Sequence, residues 1–210
     1  MITIINYGSG NIWAIGNIYE RLNIPFKIAN TPNEVADADK IILPGVGAFD
    51  ETMTMLEGSG FKSVLDNKVL KNRVPVLGIC VGMQILAKKS EEGHLPGLGW
   101  IDGEVKKIDK TLLNCKPKIP HLGWNSVKVL KANDLFKDVD EEQGFYFLHS
   151  YYFQCADPGD IVSTTAYGNI FPSSVRHQNI FGVQFHPEKS HHNGVNVLKN
   201  FSSLPCSGPE

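Results

Sequence analysis

The octapeptide "LGICVGMQ" (77–84) restricts the fold more tightly than any other part of this 210-residue chain. It closes an apolar, strand-like run, "VPVLGI" (74–79), and opens a helix-like pattern, so its cysteine falls on a strand-to-helix turn. "GICVG" is the thiol form of the G-x-S-x-G elbow, which holds a nucleophile on a sharp, strained turn. Gly78 and Gly82 fit that geometry because a Cβ at either place would collide across the turn. A helix starting after Cys80 would aim its positive end at the sulfur and favour thiolate over thiol. A buried structural cysteine in a glycine-rich bend also fits the pentapeptide alone.

The flanking sequence narrows the architecture. "ITIIN" (2–6), "FKIAN" (26–30), "KIILP" (40–44) and 74–79 read as strands. Between and after them, 11–22, 48–56, about 61–70 and "GMQILAKKS" (82–90) read as helices. That alternation implies right-handed crossovers and a mostly parallel α/β sheet flanked by helices. From 100 to 184 the pattern changes to strand-like runs, "EVKKI", "NSVKVL", "GFYFLHSYYFQCA", "DIVSTTAYG", "SSVRHQ" and "IFGVQFH". Turns such as "YGNI" and "HQNI" separate them, so they are expected as antiparallel additions to the sheet. A last helix is expected at about 194–201. One α/β domain is expected over 1–203, with a frayed tail at 204–210.

Bulk properties exclude several classes of function. With 42% hydrophobic and 20% charged residues, the chain can bury an ordinary globular core. A formal charge of −2 without a long basic run argues against nucleic-acid binding. No apolar stretch approaches the ~20 residues of a membrane span, and "MITIINYGSGN" carries no basic leader, so a cytoplasmic location is expected. Cys80, Cys115, Cys155 and Cys206 form no C-x-x-C pair, which argues against structural zinc and fits a reducing compartment. Cys115, Cys155 and Cys206 lack an elbow-like setting and are assigned no chemistry, and neither a metal nor a cofactor is expected.

A thiol nucleophile needs a base, and the base needs an orienting group. His94 and His177 fall in loop or turn sequence, and His191 and His192 open the last helix. His186, in "VQFHPEKS", stands apart: Pro187 keeps the segment out of helix, and residues two apart in extended chain share a side. Glu188 would then hold one imidazole nitrogen while the other faces the sulfur.

Cys80, His186 and Glu188, in this order, resemble the class I (triad-type) glutamine amidotransferases. The resemblance spans nearly the whole chain through "YGSGN", "PGVGAF" (44–49), "LGICVGMQ", "PGLGW", "IPHLGWN" (119–125), "FYFLHSYY" (145–152) and "GVQFHPEKS". "PGVGAF" and "PHLGWN" narrow it to the glutaminase subunits of imidazole glycerol phosphate synthases. It implies the family's flavodoxin-like fold, with glutamine hydrolysed to glutamate and ammonia through a Cys80 thioester. It assigns His186 to proton transfer, Glu188 to orienting it, and the Val81 and Val46 amides to the oxyanion hole. Gly45 and Gly47 would permit a peptide flip beside the substrate. Gln84, His149, Ser150 and Tyr151 would contact glutamine. Asn11, Trp124 and Lys189 match positions facing a (β/α)₈-barrel cyclase subunit, which would form a heterodimer and receive the ammonia. The chain has no G-x-x-x-x-G-K-[ST] phosphate loop, which fits delegation of the phosphorylated substrate to that partner.

Departures from the family pattern spare the triad. Asn6 stands where aspartate is more usual and Val81 where leucine is common, and "NIWAIGN" and "SHHNG" are unusual near the expected docking face. Paralogues whose barrel partners amidate surface-polysaccharide sugars therefore stay open. So does a cysteine hydrolase of the peptidase or deglycase type, although Val81 stands where those enzymes often carry histidine. A catalytically silent interaction subunit is disfavoured by the intact Cys–His–Glu set.

Overall fold

Short apolar runs supply the spine of the molecule. The computed structural model describes residues 1–113 and 119–206; Cys115 and the last four residues of the expected tail lie outside the described residues. The first half runs β1 (Ile2–Ile5), α1 (Ile12–Arg21), β2 (Phe26–Ala29), β3 (Lys40–Gly45), α2 (Phe49–Gly58), α3 (Phe61–Asp66), β4 (Val76–Cys80) and α4 (Val81–Gln84). Then follow β5 (Lys89–Ser90), β6 (Gly103–Lys107), β7 (His121–Asn125), β8 (Lys128–Val129), β9 (Phe145–His149) and β10 (Tyr151–Cys155). The chain continues through β11 (Ile161–Tyr167), β12 (Asn169–His177), β13 (Ile180–Val183) and α5 (His191–Ser203).

The main sheet has the order β2-β1-β3-β4-β13-β12-β11-β8. It is parallel from β2 to β13, and β12, β11 and β8 add antiparallel strands at one edge. β1, β3, β4 and β13 are buried at every position, as parallel strands covered on both faces must be. α1 turns Ile12, Ile15 and Tyr19 inward, and the Tyr19 hydroxyl donates to the Leu198 carbonyl of α5 at 3.1 Å. This α/β architecture, a parallel sheet with an antiparallel extension, is the one expected. Among the described residues, no helix is long and apolar enough to cross a membrane.

The second half departs from the expectation in detail. "GFYFLHSYYFQCA" is two strands broken at Ser150: β9 pairs with β7, and β10 pairs with β6 in a sheet completed by β5. These strands therefore form separate small sheets rather than extensions of the main one. The helix expected over 82–90 stops at Gln84, because 97–101 takes the carbonyls it would have used. Leu98 donates to Ile85, Ile101 to Leu86, Gly99 to Ala87 and Gly97 to Lys88, at 2.8–3.1 Å. The stretch 61–70 is α-helical to Asp66 and then widens into a π turn, Asn67–Lys71. The tail packs further than expected: Leu204 is 8% exposed and belongs to the core, and Lys40 Nζ donates to Cys206 Sγ at 3.2 Å.

Three strand ends make the site. Gly45 at the end of β3 lies beside Cys80 at the end of β4, and Val183 at the end of β13 lies beside Ile79. In open α/β sheets the crevice at the carboxyl ends of the strands is where ligands bind. The turn there is interlocked by missing side chains. A Cβ on Gly82 would land on the Leu43 carbonyl oxygen, and one on Gly78 would sit 2.6 Å from the Gly82 oxygen. Gly82→Ala is therefore expected to lose about 3 kcal/mol of stability, the upper range for overpacking. Gly58→Ala, at a helical position where the new Cβ would meet nothing outside its own helix within 4 Å, should gain about 0.5–1 kcal/mol. Urea unfolding of both variants against the parent measures each.

Candidate active site

The turn after β4 forces Cys80 into φ 56°, ψ −112°, outside the regions that residues with side chains favour. Strain of this kind costs on the order of 1–3 kcal/mol and persists only where the surroundings impose it. Here the imposed geometry exposes the sulfur to a cleft of about 440 Å³ although the residue is 3% exposed. α4 is one turn long, so a helix macrodipole contributes little at the sulfur, contrary to the expectation. What remains is the Val81 N–H, the first of the helix, which the geometry of a helix start leaves without an intrahelical partner.

His186 arrives three residues beyond β13. Its backbone is fixed by an N–H bond to the Tyr146 carbonyl at 2.9 Å, and its carbonyl accepts from Ser190 Oγ at 2.6 Å. Pro187–Lys189 forms a 3₁₀ turn rather than the extended segment expected. The turn still brings Glu188 Oε1 to 2.9 Å from His186 Nδ1. The imidazole also lines the same cleft as the Cys80 sulfur and interacts with it electrostatically. Burial opposes a positive charge on His186, but the neighbouring Cys80 sulfur and the bonded Glu188 outweigh it and push the imidazole up to about 10. Its surroundings therefore favour the protonated imidazole.

The cleft holds most of the expected catalytic and substrate-side residues, two of those expected at the partner face, Asn11 and Lys189, and Leu148, which was not expected. Asn11, Val46, Gly47, Val81, Gln84, Leu148, His149, Ser150, Tyr151 and Lys189 line it together with Cys80, His186 and Glu188. Gly45 does not face it: its α-carbon backs onto the elbow, where a Cβ would strike the Gly82 nitrogen. Gly47 sits at φ +95°, a conformation that residues with side chains rarely adopt. Trp124 lies on β7, 43% exposed, with its ring stacked on His191 at 5.3 Å. Lys189 Nζ sits over the Tyr146 ring at 5.7 Å.

The Val46 amide, expected as an oxyanion donor after a peptide flip, is engaged elsewhere in this structure. It donates to Ser9 Oγ at 2.9 Å, and the same hydroxyl donates to the Val46 carbonyl at 3.0 Å, so Ser9 binds the peptides on both sides of Val46. The Tyr7 hydroxyl also donates to the Pro44 carbonyl. "YGSGN" thus clamps "PGVG", and the role of Tyr7 and Ser9 was not legible from spacing alone. Glu92 was also missed. Half-buried on the cleft wall, it accepts from the Phe49 N–H at 2.9 Å, and burial raises its pKa. Nothing in the charged run around it distinguishes it from a surface residue.

Two further histidines carry the opposite charge state to His186. His121 and His149 face each other across β7 and β9, with His121 Nδ1 2.9 Å from His149 Nε2. Burial lowers His121 to about 4; burial, then the neighbouring His121, lowers His149 to about 3. Among the described residues no cluster of histidine, cysteine, aspartate and glutamate is arranged to hold a metal ion.

A profile described as "Glutamine amidotransferase class-I" matches residues 3–203. The chain belongs to this family. Curated relatives named "Imidazole glycerol phosphate synthase subunit HisH" include one from Bdellovibrio bacteriovorus, 50% identical over 97% of this chain and 100% of its own. One from Leptospira interrogans is 48% identical over the same shares. Among solved structures, PurLQS from Thermotoga maritima aligns with a TM-score of 0.71 at 17% identity, over 95% of this chain and 96% of its own. A glutamine amidotransferase from the same organism gives 0.61 at 19%, over 89% and 75%; both are similar in fold. The chain is accordingly an enzyme of the glutamine amidotransferase class.

Replacing Glu188 by Gln removes one of the groups that raise His186. The imidazole should then lose its proton at a pH below the parent's value near 10. A ¹⁵N NMR titration of the His186 ring checks this; an unmoved midpoint would show that Glu188 does not charge the imidazole.

Proposed function

We propose that this chain is the glutaminase subunit of an imidazole glycerol phosphate synthase, and that Cys80, His186 and Glu188 are its catalytic triad. The observation that carries the triad is one imidazole held at 2.9 Å by a buried carboxylate and set beside the elbow sulfur in the same cleft. The names of full-length relatives near 50% identity support the pathway.

The Cys80 sulfur attacks the side-chain amide carbon of glutamine. His186, in its protonated form, gives its proton to the departing ammonia, leaving a glutamyl thioester. Once the sulfur is acylated its charge is gone, and one cause of the high imidazole pKa disappears with it. His186 can then take a proton from water, whose attack releases glutamate, while Glu188 holds the ring and balances its charge. The α-ammonium of glutamine fits the half-buried Glu92 carboxylate, and the backbone at Leu148–Tyr151 fits the rest of the amino-acid end.

Oxyanion stabilisation falls to the Val81 amide and to the Val46 amide once the Val46 peptide turns away from Ser9. Loss of one such donor costs ~10²–10³ in rate, so the chain with Ser9 engaged is a poor glutaminase. The apolar side chains exposed around the mouth, Val46, Leu148, Leu122 and Trp124, fit the seat of a barrel-shaped partner that receives the ammonia. Asn11 and Lys189 on the cleft edge fit the same interface. A reducing cytoplasm fits the free thiols at Cys80, Cys155 and Cys206.

Cys80→Ala tests the assignment. It should abolish glutamine hydrolysis while a co-expressed barrel subunit from the same genome still binds; residual turnover would remove Cys80 from its role. Complementation of a histidine auxotroph tests the pathway separately. For the clamp, Ser9→Ala should raise partner-free hydrolysis about fivefold, the equivalent of roughly 1 kcal/mol for a neutral hydrogen bond. Activity with the partner bound should stay unchanged, and steady-state ammonia release with and without it measures both.

A further inference from the structure

Behind the nucleophile lies a polar chain whose link to the sulfur the reaction above does not use. It runs from Asn125 through His121, His149, the Tyr151 carbonyl, Gln84 and Gln184 to the Cys80 sulfur. Its donors and acceptors can be assigned one after another. Asn125 Nδ2 donates to the Ala166 carbonyl at 3.0 Å and lies 3.1 Å from His121 Nε2. An amide NH₂ can only donate, so His121 Nε2 accepts and the His121 proton sits on Nδ1. That proton goes to His149 Nε2 at 2.9 Å, which puts the His149 proton on Nδ1, 2.8 Å from the Tyr151 carbonyl. The same carbonyl accepts from Gln84 Nε2 at 2.9 Å, and Gln84 Nε2 also donates to Gln184 Oε1 at 3.0 Å. The Gln184 NH₂ is left facing Cys80 Sγ at 3.9 Å.

This orientation admits no alternative. Turning the Gln184 amide over would set its NH₂ against that of Gln84 and its oxygen against the sulfur. Gln184 is fully buried and Gln84 is 2% exposed, so water cannot repair either mismatch. As a thiol, Cys80 donates to the Leu148 carbonyl at 3.9 Å. Once charged, the sulfur can only accept, and the groups aimed at it are His186 and Gln184. His186 surrenders its proton during the reaction, whereas an amide N–H at neutral pH does not.

We propose that Gln184 is a positioning residue for the nucleophile: its amide, locked by Gln84 and the histidine pair behind it, directs a permanent N–H donor at the Cys80 sulfur and favours the charged sulfur. The inference rests on the reading of Cys80 as the nucleophile. It applies twice in each turnover, when the sulfur attacks and again when it leaves the thioester. The titratable groups near the sulfur are His186 with Glu188 on the turn after β13, Tyr7 on the loop after β1, His149 and Tyr151 on the opposite wall of the cleft, and Glu92 and Lys189 further along it. Gln184 adds a donor to this set without adding charge.

The experiment is the pH profile of Cys80 alkylation by iodoacetamide in the full chain, read by mass spectrometry, for the parent, Gln184→Met and Gln184→Glu. Methionine keeps the volume and removes the donor. Glutamate keeps the acceptor for Gln84 and places a negative charge beside the sulfur. The alkylation midpoint should rise by about one pH unit in Gln184→Met, the shift that a hydrogen bond to a charged group carries, and further in Gln184→Glu. In the partnered enzyme, kcat should fall about tenfold in Gln184→Met while KM for glutamine holds. Folded variants with unmoved midpoints would overturn the proposal, as would a loss of kcat with the midpoint unmoved. Should the variants not fold, the Gln184 side-chain amide signal of the parent, followed by NMR, should titrate with the Cys80 thiol; a signal indifferent to that titration overturns it too. Failure of the parent's Cys80 to react, or of glutamine to protect it, would instead sink the nucleophile assignment and leave the orientation of Gln184 standing.

Discussion

The close approach of two backbones at Gly82 and Leu43 is the constraint on which the site depends. With no Cβ at Gly82, the turn after β4 presses against the carbonyl at the end of β3. Gly78 and Gly45 remove the other two obstacles to the same contact. The contact leaves Cys80 little choice of backbone angles, and the strained φ of 56° is the result. Burial of the four central strands supplies the stability that holds this strain in place.

Electrostatics then separates three neighbouring imidazoles into two roles. His186 sits against a carboxylate and a sulfur, which favour its protonated form. His121 and His149 sit against each other and aromatic rings, where each ring nitrogen already has its single partner, and they stay neutral. The charge on His186 is itself one reason why His149 does not protonate. One residue type thus serves as a titrating group in one place and as a fixed connector a few ångströms away, the difference lying in what each faces.

Local pattern announced what local chemistry decides. The elbow glycines and the strand-helix alternation follow from short-range sterics, so each was visible in a few consecutive residues, whereas the Glu188–His186 contact was expected from extended chain and comes from a 3₁₀ turn. The early end of α4 was not visible in this way, because it depends on 97–101 returning to take the carbonyls of 85–88. The split of "GFYFLHSYYFQCA" at Ser150 likewise depends on two different partner strands, β7 and β6, far away in sequence. Ser9, Glu92 and Gln184 escaped for the same reason. Each acts on a residue from another part of the chain, and nothing adjacent marks the side chain as more than polar.

The pairing of 97–101 onto 85–88 also bears on protein engineering. Because those four bonds end α4, the sharp bend that displays the sulfur is not a self-contained loop that can be lifted out. Grafting residues 76–84 alone into a foreign scaffold would let the helix run on and relax the bend. A transplant that keeps the thiol's pose must carry the returning strap and the β3 terminus with it.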